Sequence, residues 1–521
     1  MDLQEKIGQM LMTGLPSTEV TQEFVQLVEK YKISNVILFD RNIESSGQLR
    51  RLCSEIQEVV QRNTGHPALI AIDQEGGSVV RMPWDAVNMP GAMALAATGD
   101  LRSAYDAGRF TGEELRWLGV NFNLAPVADV NSNPDNPVIG NRAFGDTPET
   151  VTRWMLETMR GLRDGGVLCA VKHFPGHGDT SVDSHVGLPT VEKSLEELEQ
   201  VELRPFAAAI AAGTDAVMTT HILFPRLEPE KLPGTMSRAV LTGLLRKKMG
   251  FGGMIITDCL EMGAICQKYG TVEGACMAAR AGADMLCISH TQDLAAEAAE
   301  RIFAAVQSGE IPAERIDEAV EHVLACKRRA AEYAERAVAV DLEAGRVLAE
   351  RLVRESLTLV RGELFPLGDN PLFLGCYAYR STLASGSPDR ELSFADFMWE
   401  RFGGKSIVTS VDPGEEEVEN CVSAAKGHSS IVIGTYNGHM NSGQIALVNR
   451  ICRETEADVL AVALRNPYDI SLIDRRAVCV VAYEYTRKCF SALVDVLEGR
   501  ECMRGQLSVV LPQSADGKYG I

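Results

Sequence analysis

Val167-Leu-Cys-Ala-Val-Lys-His-Phe-Pro-Gly-His-Gly-Asp-Thr-Ser-Val-Asp-Ser-His-Val-Gly-Leu-Pro189 begins as an apolar run and ends as a polar loop. Val167 to Val171 has the continuous apolar character of a strand covered on both faces. From Lys172 onward the glycines and prolines exclude a regular helix or a central strand, so the chain leaves the sheet in a long loop. That loop holds His173, His177 and His185 out of only nine histidines in the chain, which marks it as chemical rather than incidental. Long ordered loops on rigid scaffolds tend to carry function.

Outward from this strand, similar apolar runs recur at Asn35 to Phe39, Ala68 to Ile72, Val120 to Leu124, Ala216 to Thr219, Met254 to Thr257 and Met285 to Ile288. Helix-period segments such as Gln48 to Gln61, Glu149 to Leu162, Leu195 to Ala212 and Arg238 to Met249 lie between them, the signature of βα repeats and a parallel sheet. Seven strands are countable where a closed (β/α)8 barrel needs eight, so one is irregular or the barrel is incomplete. The Ala-, Glu- and Arg-rich stretch from Glu314 to Ala337 lacks sustained heptads and reads as a barrel-packing helix rather than a coiled coil. A second βα series follows at Leu372 to Cys376, Ile407 to Ser410, Ile431 to Thr435, Val459 to Leu464 and Val478 to Ala482. The expected fold class is α/β, an N-terminal (β/α)8 TIM-like barrel over 1–336 and an αβα sandwich over 371–521, with 337–370 as linker.

Composition narrows the function classes. The 521 residues are too many for one ordinary core, and 45% hydrophobic with 23% charged residues reads as soluble and globular. A net charge of −20 argues against an extended nucleic-acid or anionic-membrane surface while leaving room for a local cationic pocket. Thirteen cysteines stand singly without a Cys-x-x-Cys pair, which suggests reduced thiols. No signal peptide and no apolar run near the roughly 20 residues of a membrane helix is visible, so the cytoplasm is the expected location. No internal repeat beyond the βα period, P-loop or dinucleotide fingerprint appears.

Polar residues cluster at the C-terminal ends of the predicted strands: Asp73, Asn123 and Asp129, Lys172 and His173, His221, and Asp258. Any one of them is explained as a cap or turn residue, but several strand ends agreeing point to the rim where such barrels place active sites. Asp183 and His185, two apart, have the spacing for a carboxylate to fix an imidazole tautomer, so that the histidine can give and take a proton. The alternative there is an Asx-turn beside an exposed histidine. A zinc site built from His173, His177, Asp179, Asp183 and His185 is opposed by the glycines and prolines, which break the helix a His-x-x-x-His pair needs. No Gly-x-Ser-x-Gly elbow supports a serine hydrolase. Cleavage of a glycosidic bond fits a rim of this kind, with one group protonating the leaving oxygen and a carboxylate meeting the oxocarbenium-like centre. Composition alone does not select it over other barrel chemistry.

The motifs resemble glycoside hydrolase family 3, in its β-N-acetylglucosaminidase, cell-wall-recycling branch and two-domain form. The resemblance rests on Lys172-His-Phe-Pro-Gly-His-Gly-Asp-Thr with Asp183-Ser-His185, and on Asp73-Gln-Glu-Gly-Gly with Arg81. It continues through Asn123-Leu-Ala-Pro-Val-Ala-Asp129, Asn141-Arg-Ala-Phe-Gly, Met218-Thr-Thr-His and Ile256-Thr-Asp-Cys-Leu-Glu-Met262. It implies Asp258 as nucleophile, His185 as acid/base and Asp183 as the residue that orients it. Asp73, Arg81, Arg142, Lys172 and His173 are implied as sugar-holding groups, with His221 and Met262 as neighbours of the same pocket. Two departures stand out: Ser78 where the family block has arginine, and Ser181 where an acidic or polar residue is common. The implied activity is retaining, exo-acting hydrolysis of terminal β-linked N-acetylglucosamine, with no metal or organic cofactor and GlcNAc-MurNAc fragments as substrate. Two alternatives remain at this level: a phosphorylase, because a histidine acid/base does not repel phosphate as the acceptor, and a non-catalytic sugar-binding protein of the same fold. The oligomeric state is not readable.

Overall fold

The structure is a computed structural model, and it describes residues 1–181, 187–335, 339–382, 384–386 and 389–512. Eight parallel strands form the first sheet: β1 (Leu11–Gly14), β2 (Asn35–Leu38), β3 (Leu69–Ile72), β4 (Phe122–Asn123), β5 (Leu168–Phe174), β6 (Ala216–Thr219), β7 (Met254–Ile256) and β8 (Leu286–Ile288). Their order is β7-β6-β5-β4-β3-β2-β1-β8, and a parallel bridge between Ile256 and Met285 joins the two ends into a barrel. The strand missing from the sequence count is β1. It follows helix Leu3–Met10 without a turn residue, so Leu11-Met-Thr-Gly reads as the last turn of that helix.

Alternation along the strands builds two cores. Leu69 and Ala71 of β3 face the barrel interior with Met12, Ile37, Phe122, Leu168 and Met254, while Ile70 and Ile72 face the surrounding helices. Helix Ala313–Glu335 closes the N-terminal end: Val323, Cys326, Ala330 and Tyr333 join the interior cluster, which is why this stretch packs on the barrel and not on a second helix. Helix Pro148–Asp164 shows the usual start signals, with the Thr147 side chain accepting from the Thr150 N–H and proline at the first turn.

The second sheet has the order β11-β10-β12-β13-β14-β9, with β9 (Thr358–Arg361), β10 (Leu372–Cys376), β11 (Lys405–Thr409), β12 (Ser430–Thr435), β13 (Asp458–Ala463) and β14 (Val478–Val481). Ile431 and Ile433 of β12 pack on one face and Val432 on the other, so helices cover both sides. The expected linker, 337–370, carries helix Leu342–Ser356 and strand β9, which pairs antiparallel with β14 as the sheet edge. Barrel and sandwich share packing. Met93, Ala94 and Ala97 of the barrel helix Ala92–Ala97 sit in a sandwich cluster, and Asn131 Nδ2 donates to the Tyr468 hydroxyl at 2.7 Å. The Glu484 carboxylate accepts from the Gly91 N–H at 2.8 Å.

Candidate active site

A cavity of about 580 Å³ opens at the C-terminal rim of the barrel, and seven of the eight strands, or the loops that directly follow them, deliver a side chain to it. Its lining includes Asp40 and Arg41 beyond β2, Asp73 and Glu75 beyond β3, Lys172 and His173 of β5, Asp258 beyond β7 and His290 beyond β8. A pocket of this size suits a small polar ligand. Parallel strands end on one side, so residues far apart in sequence meet there without any long-range signal in the chain.

The floor is an ion network. Lys172 Nζ stands 2.7 Å from both Asp73 Oδ1 and Glu75 Oε1. Arg142 grips the same Glu75 with two parallel bonds, Nε to Oε2 and Nη2 to Oε1, each 2.8 Å. Arg142 and Glu75 are 3% and 6% exposed, so these charges have left water and depend on one another. Burial alone would raise the Glu75 carboxyl, but Arg142 and Lys172 hold it well below the usual carboxylate range. Lys172 is the mirror case: burial would lower it, and Asp73 and Glu75 raise it.

A second cluster orients the loop that leaves β5. Asp129 accepts from His173 Nδ1 at 2.7 Å, from the His173 backbone N–H at 3.2 Å and from the His177 backbone N–H at 2.7 Å. Against burial, the His173 ring and these donors keep Asp129 below its ordinary value. A carboxylate only accepts, so Nδ1 of His173 carries a proton and Nε2 is the nitrogen that Asp129 leaves unengaged. His177 is pushed down to about 4 by burial and by His173, hence neutral at physiological pH. Gly178 lets this loop close on the barrel, because a Cβ there would lie 1.7 Å from the Val130 carbonyl oxygen. On the far side, paired bonds between Val191 N and Leu223 O and between Leu223 N and Pro189 O, both 2.9 Å, anchor the returning chain.

Of the expected site residues, Asp73, Arg81, Arg142, Lys172, His173, Asp258 and Met262 line the cavity together. Asp183 and His185 lie outside the described residues. His221 does not line the cavity; fully buried, it sits behind it, Nε2 donating to the Cys259 carbonyl at 2.8 Å and Nδ1 facing the Thr235 hydroxyl at 2.9 Å. It thus fixes the peptide next to Asp258, whose Oδ1 accepts from the Cys259 N–H at 2.7 Å. Arg81 reaches the Ala384 carbonyl of the sandwich at 2.6 Å, and Gln74 holds the Arg81 N–H at 2.8 Å. Arg380 and Ala384 of the sandwich line the cavity too, so the second unit completes its wall.

Sequence reasoning missed Glu75 and Arg380. Glu75 stands inside the quoted Asp73-Gln-Glu-Gly-Gly block, and a carboxylate next to two turn glycines was its one visible signal. Arg380 had none.

The profile of the glycosyl hydrolase family 3 N-terminal domain matches residues 2–326, and the chain belongs to this family. A beta-hexosaminidase A of Pseudoalteromonas piscicida is 39% identical over 291 residues, 53% of this chain and 48% of the relative, so the match spans about half of that protein. A beta-hexosaminidase of Xylella fastidiosa is 36% identical over 291 residues, 54% of this chain and 84% of the relative. Among solved structures, a glycoside hydrolase family 3 beta-N-acetylglucosaminidase from Paenibacillus sp. superposes with a TM-score of 0.90 at 38% identity. That superposition covers 99% of this chain and 100% of the other.

Proposed function

We propose that the chain is a retaining, exo-acting β-N-acetylglucosaminidase that removes terminal β-linked N-acetylglucosamine through a covalent glycosyl-enzyme. The observation that carries this reading is the meeting of Asp258 with the Asp73, Glu75, Arg142 and Lys172 network in one rim cavity. The network presents fixed donors and acceptors to sugar hydroxyls, while Leu124, Val138, Met218 and Met262 offer apolar wall to ring carbons and the acetyl methyl. Asp258 attacks the anomeric carbon, and His185, oriented by Asp183, protonates the departing oxygen and then activates water. The preformed network holds the ring in place, so binding energy away from the reacting carbon is available to position it. Arg81, His173 and Arg380 hold the rim of the sugar subsite.

Cell-wall-derived GlcNAc-MurNAc fragments are the natural substrate class in this reading, and neither metal nor organic cofactor enters it. The unit 1–336 carries the chemistry and 371–521 completes the pocket. No helix among the described residues is long and apolar enough to cross a membrane. All thirteen cysteines are unpaired, which supports a reducing, cytoplasmic setting.

The test is hydrolysis of an aryl β-N-acetylglucosaminide by wild type and Asp258→Asn, each with and without phosphate. Loss of about 10³-fold or more in kcat in the variant, with free N-acetylglucosamine as product, is expected for removal of a group on which the whole mechanism depends. An unaffected Asp258→Asn removes the nucleophile assignment. Accumulation of N-acetylglucosamine 1-phosphate when phosphate is present replaces hydrolase by phosphorylase.

A further inference from the structure

The N-terminal end of the barrel, remote from the rim, contains a second cavity of about 490 Å³. Helix Ser46–Thr64 contributes Arg50, Cys53 and Gln57, helix Leu101–Leu118 contributes Arg116 and Trp117, and helix Ala313–Glu335 contributes Lys327 and Ala330. Among the described residues three cations line it and no aspartate or glutamate does, in a chain whose net charge is −20. A random patch of so acidic a protein would be expected to carry the opposite sign.

None of the three cations has an acidic partner among the described residues. Lys327, 3% exposed, donates only to neutral groups, Gln9 Oε1 at 2.7 Å and Ser34 Oγ at 2.9 Å, leaving the third of its N–H donors without a protein acceptor. Among the described residues Arg116 makes no side-chain hydrogen bond, and Arg50, at an exposed position, stacks on the Trp117 ring, 4.9 Å from its centroid. Burial pushes Lys327 down to about 7 and lowers Arg116 as well, with no neighbouring carboxylate to offset it. An arrangement needed only for folding would be better served by an apolar side chain or a paired one, because an uncompensated buried charge is costly.

We propose that this cavity binds a phosphomonoester, its phosphate held by Arg50, Arg116 and Lys327 and its organic part packed against Trp117, Cys53 and Ala330. Arginine suits phosphate through its planar fork of donors, and an anion supplies the acceptors and the charge that the protein omits. The volume exceeds what a bare phosphate fills, and the Trp117 and alanine wall provides for the remainder. This site is separate from the sugar cavity, and its test is independent of turnover.

Isothermal titration calorimetry of the full chain with phenyl phosphate, inorganic phosphate and phenol separates the contributions. Phenyl phosphate is expected to bind saturably and more tightly than inorganic phosphate, with no binding by phenol. Arg116→Gln and Arg50→Gln, both at partly or fully exposed positions, are each expected to weaken phenyl phosphate about tenfold or more, the worth of a charge-assisted hydrogen bond. Asp258→Asn is expected to leave the binding unchanged. The proposal is overturned if neither phosphate compound binds saturably at millimolar concentration, or if binding survives intact in the Arg50→Gln, Arg116→Gln double variant, which would place the anion in the rim cavity.

Discussion

Lys172 and Lys327 are buried to the same degree, 2% and 3% exposed, at opposite ends of one barrel, yet their charges stand in opposite conditions. At the rim, Asp73 and Glu75 face Lys172 at 2.7 Å and raise it against burial. At the base, two neutral acceptors face Lys327, and burial, unopposed, pushes it down to about 7. Burial alone therefore does not decide the charge of an interior lysine; the partners the chain supplies do. The rim is a closed set of opposite charges, two cations against two anions, whose members are fixed by one another. The base is a set of like charges that an external anion would complete.

The largest effect is expected from breaking the closed set. Glu75→Gln leaves Lys172 with only Asp73 and strips Arg142 of its paired acceptor, and unmatched buried charges of this kind cost about 3–5 kcal/mol. Urea denaturation at neutral pH measures the loss, and turnover should fall with it because the groups proposed to hold the sugar ring lose their geometry. The sign with pH follows from Glu75 being held below its ordinary value in the folded state. Its contribution is present above the unfolded pKa and fades as pH falls through the folded one, so the gap between wild type and variant narrows in acid. A gap that stayed constant down to pH 3 would show that the network is not what Glu75 stabilises.

At the base the slope with pH has the same sign, because this group too is lowered in the folded state, but here the charged form costs stability instead of adding it. A lysine lowered in the folded state binds fewer protons there than when unfolded over the interval between about 7 and its ordinary value of 10.5. Stability of the wild type therefore rises with pH across that interval, and the cost of the buried charge is full below it. Lys327→Met removes the titration, so its stability relative to wild type should be better at pH 6 than at pH 10. The expected swing is at least about 1.4 kcal/mol, the worth of one pKa unit. Parallel pH profiles for the two proteins would mean that Lys327 is not depressed, and the contrast between the two ends would collapse.

These two ends were unequally legible in the sequence. Rim residues announce themselves because each follows an apolar strand: Asp73 after β3, Lys172 and His173 on β5, Asp258 after β7. What sequence order hides is which of them meet. Glu75 becomes central only through Arg142, 67 residues later, and that distance is bridged by the barrel rather than by any local pattern. His221 shows the converse, a strand-end histidine that turns inward to a carbonyl and a hydroxyl. The base offered nothing to read, since Lys327 lies within a helix whose Ala, Glu and Arg content looks like surface. Strand β1 was lost for want of a turn before it. Strand β9 was lost because an edge strand with half-exposed side chains does not present the continuous apolar run of its neighbours.

The smallest effect tests where the rim ends. Arg380 comes from the sandwich, lines the cavity at an exposed position, and donates from Nε to the Ser385 carbonyl at 3.0 Å. At this exposed position the contact proposed for it with a sugar hydroxyl is screened, where that proposed for buried Arg142 is not, and exposed charged groups contribute about 0.2–1 kcal/mol. Arg380→Ala should accordingly raise KM two- to fivefold, roughly 0.5–1 kcal/mol, with kcat unchanged, because it binds ground state and transition state alike. Arg116→Ala, at the other end of the barrel, should leave both constants alone. A fall in kcat with KM unmoved in Arg380→Ala would place a sandwich residue at the reacting bond and move the boundary of the chemistry from the barrel into the second unit.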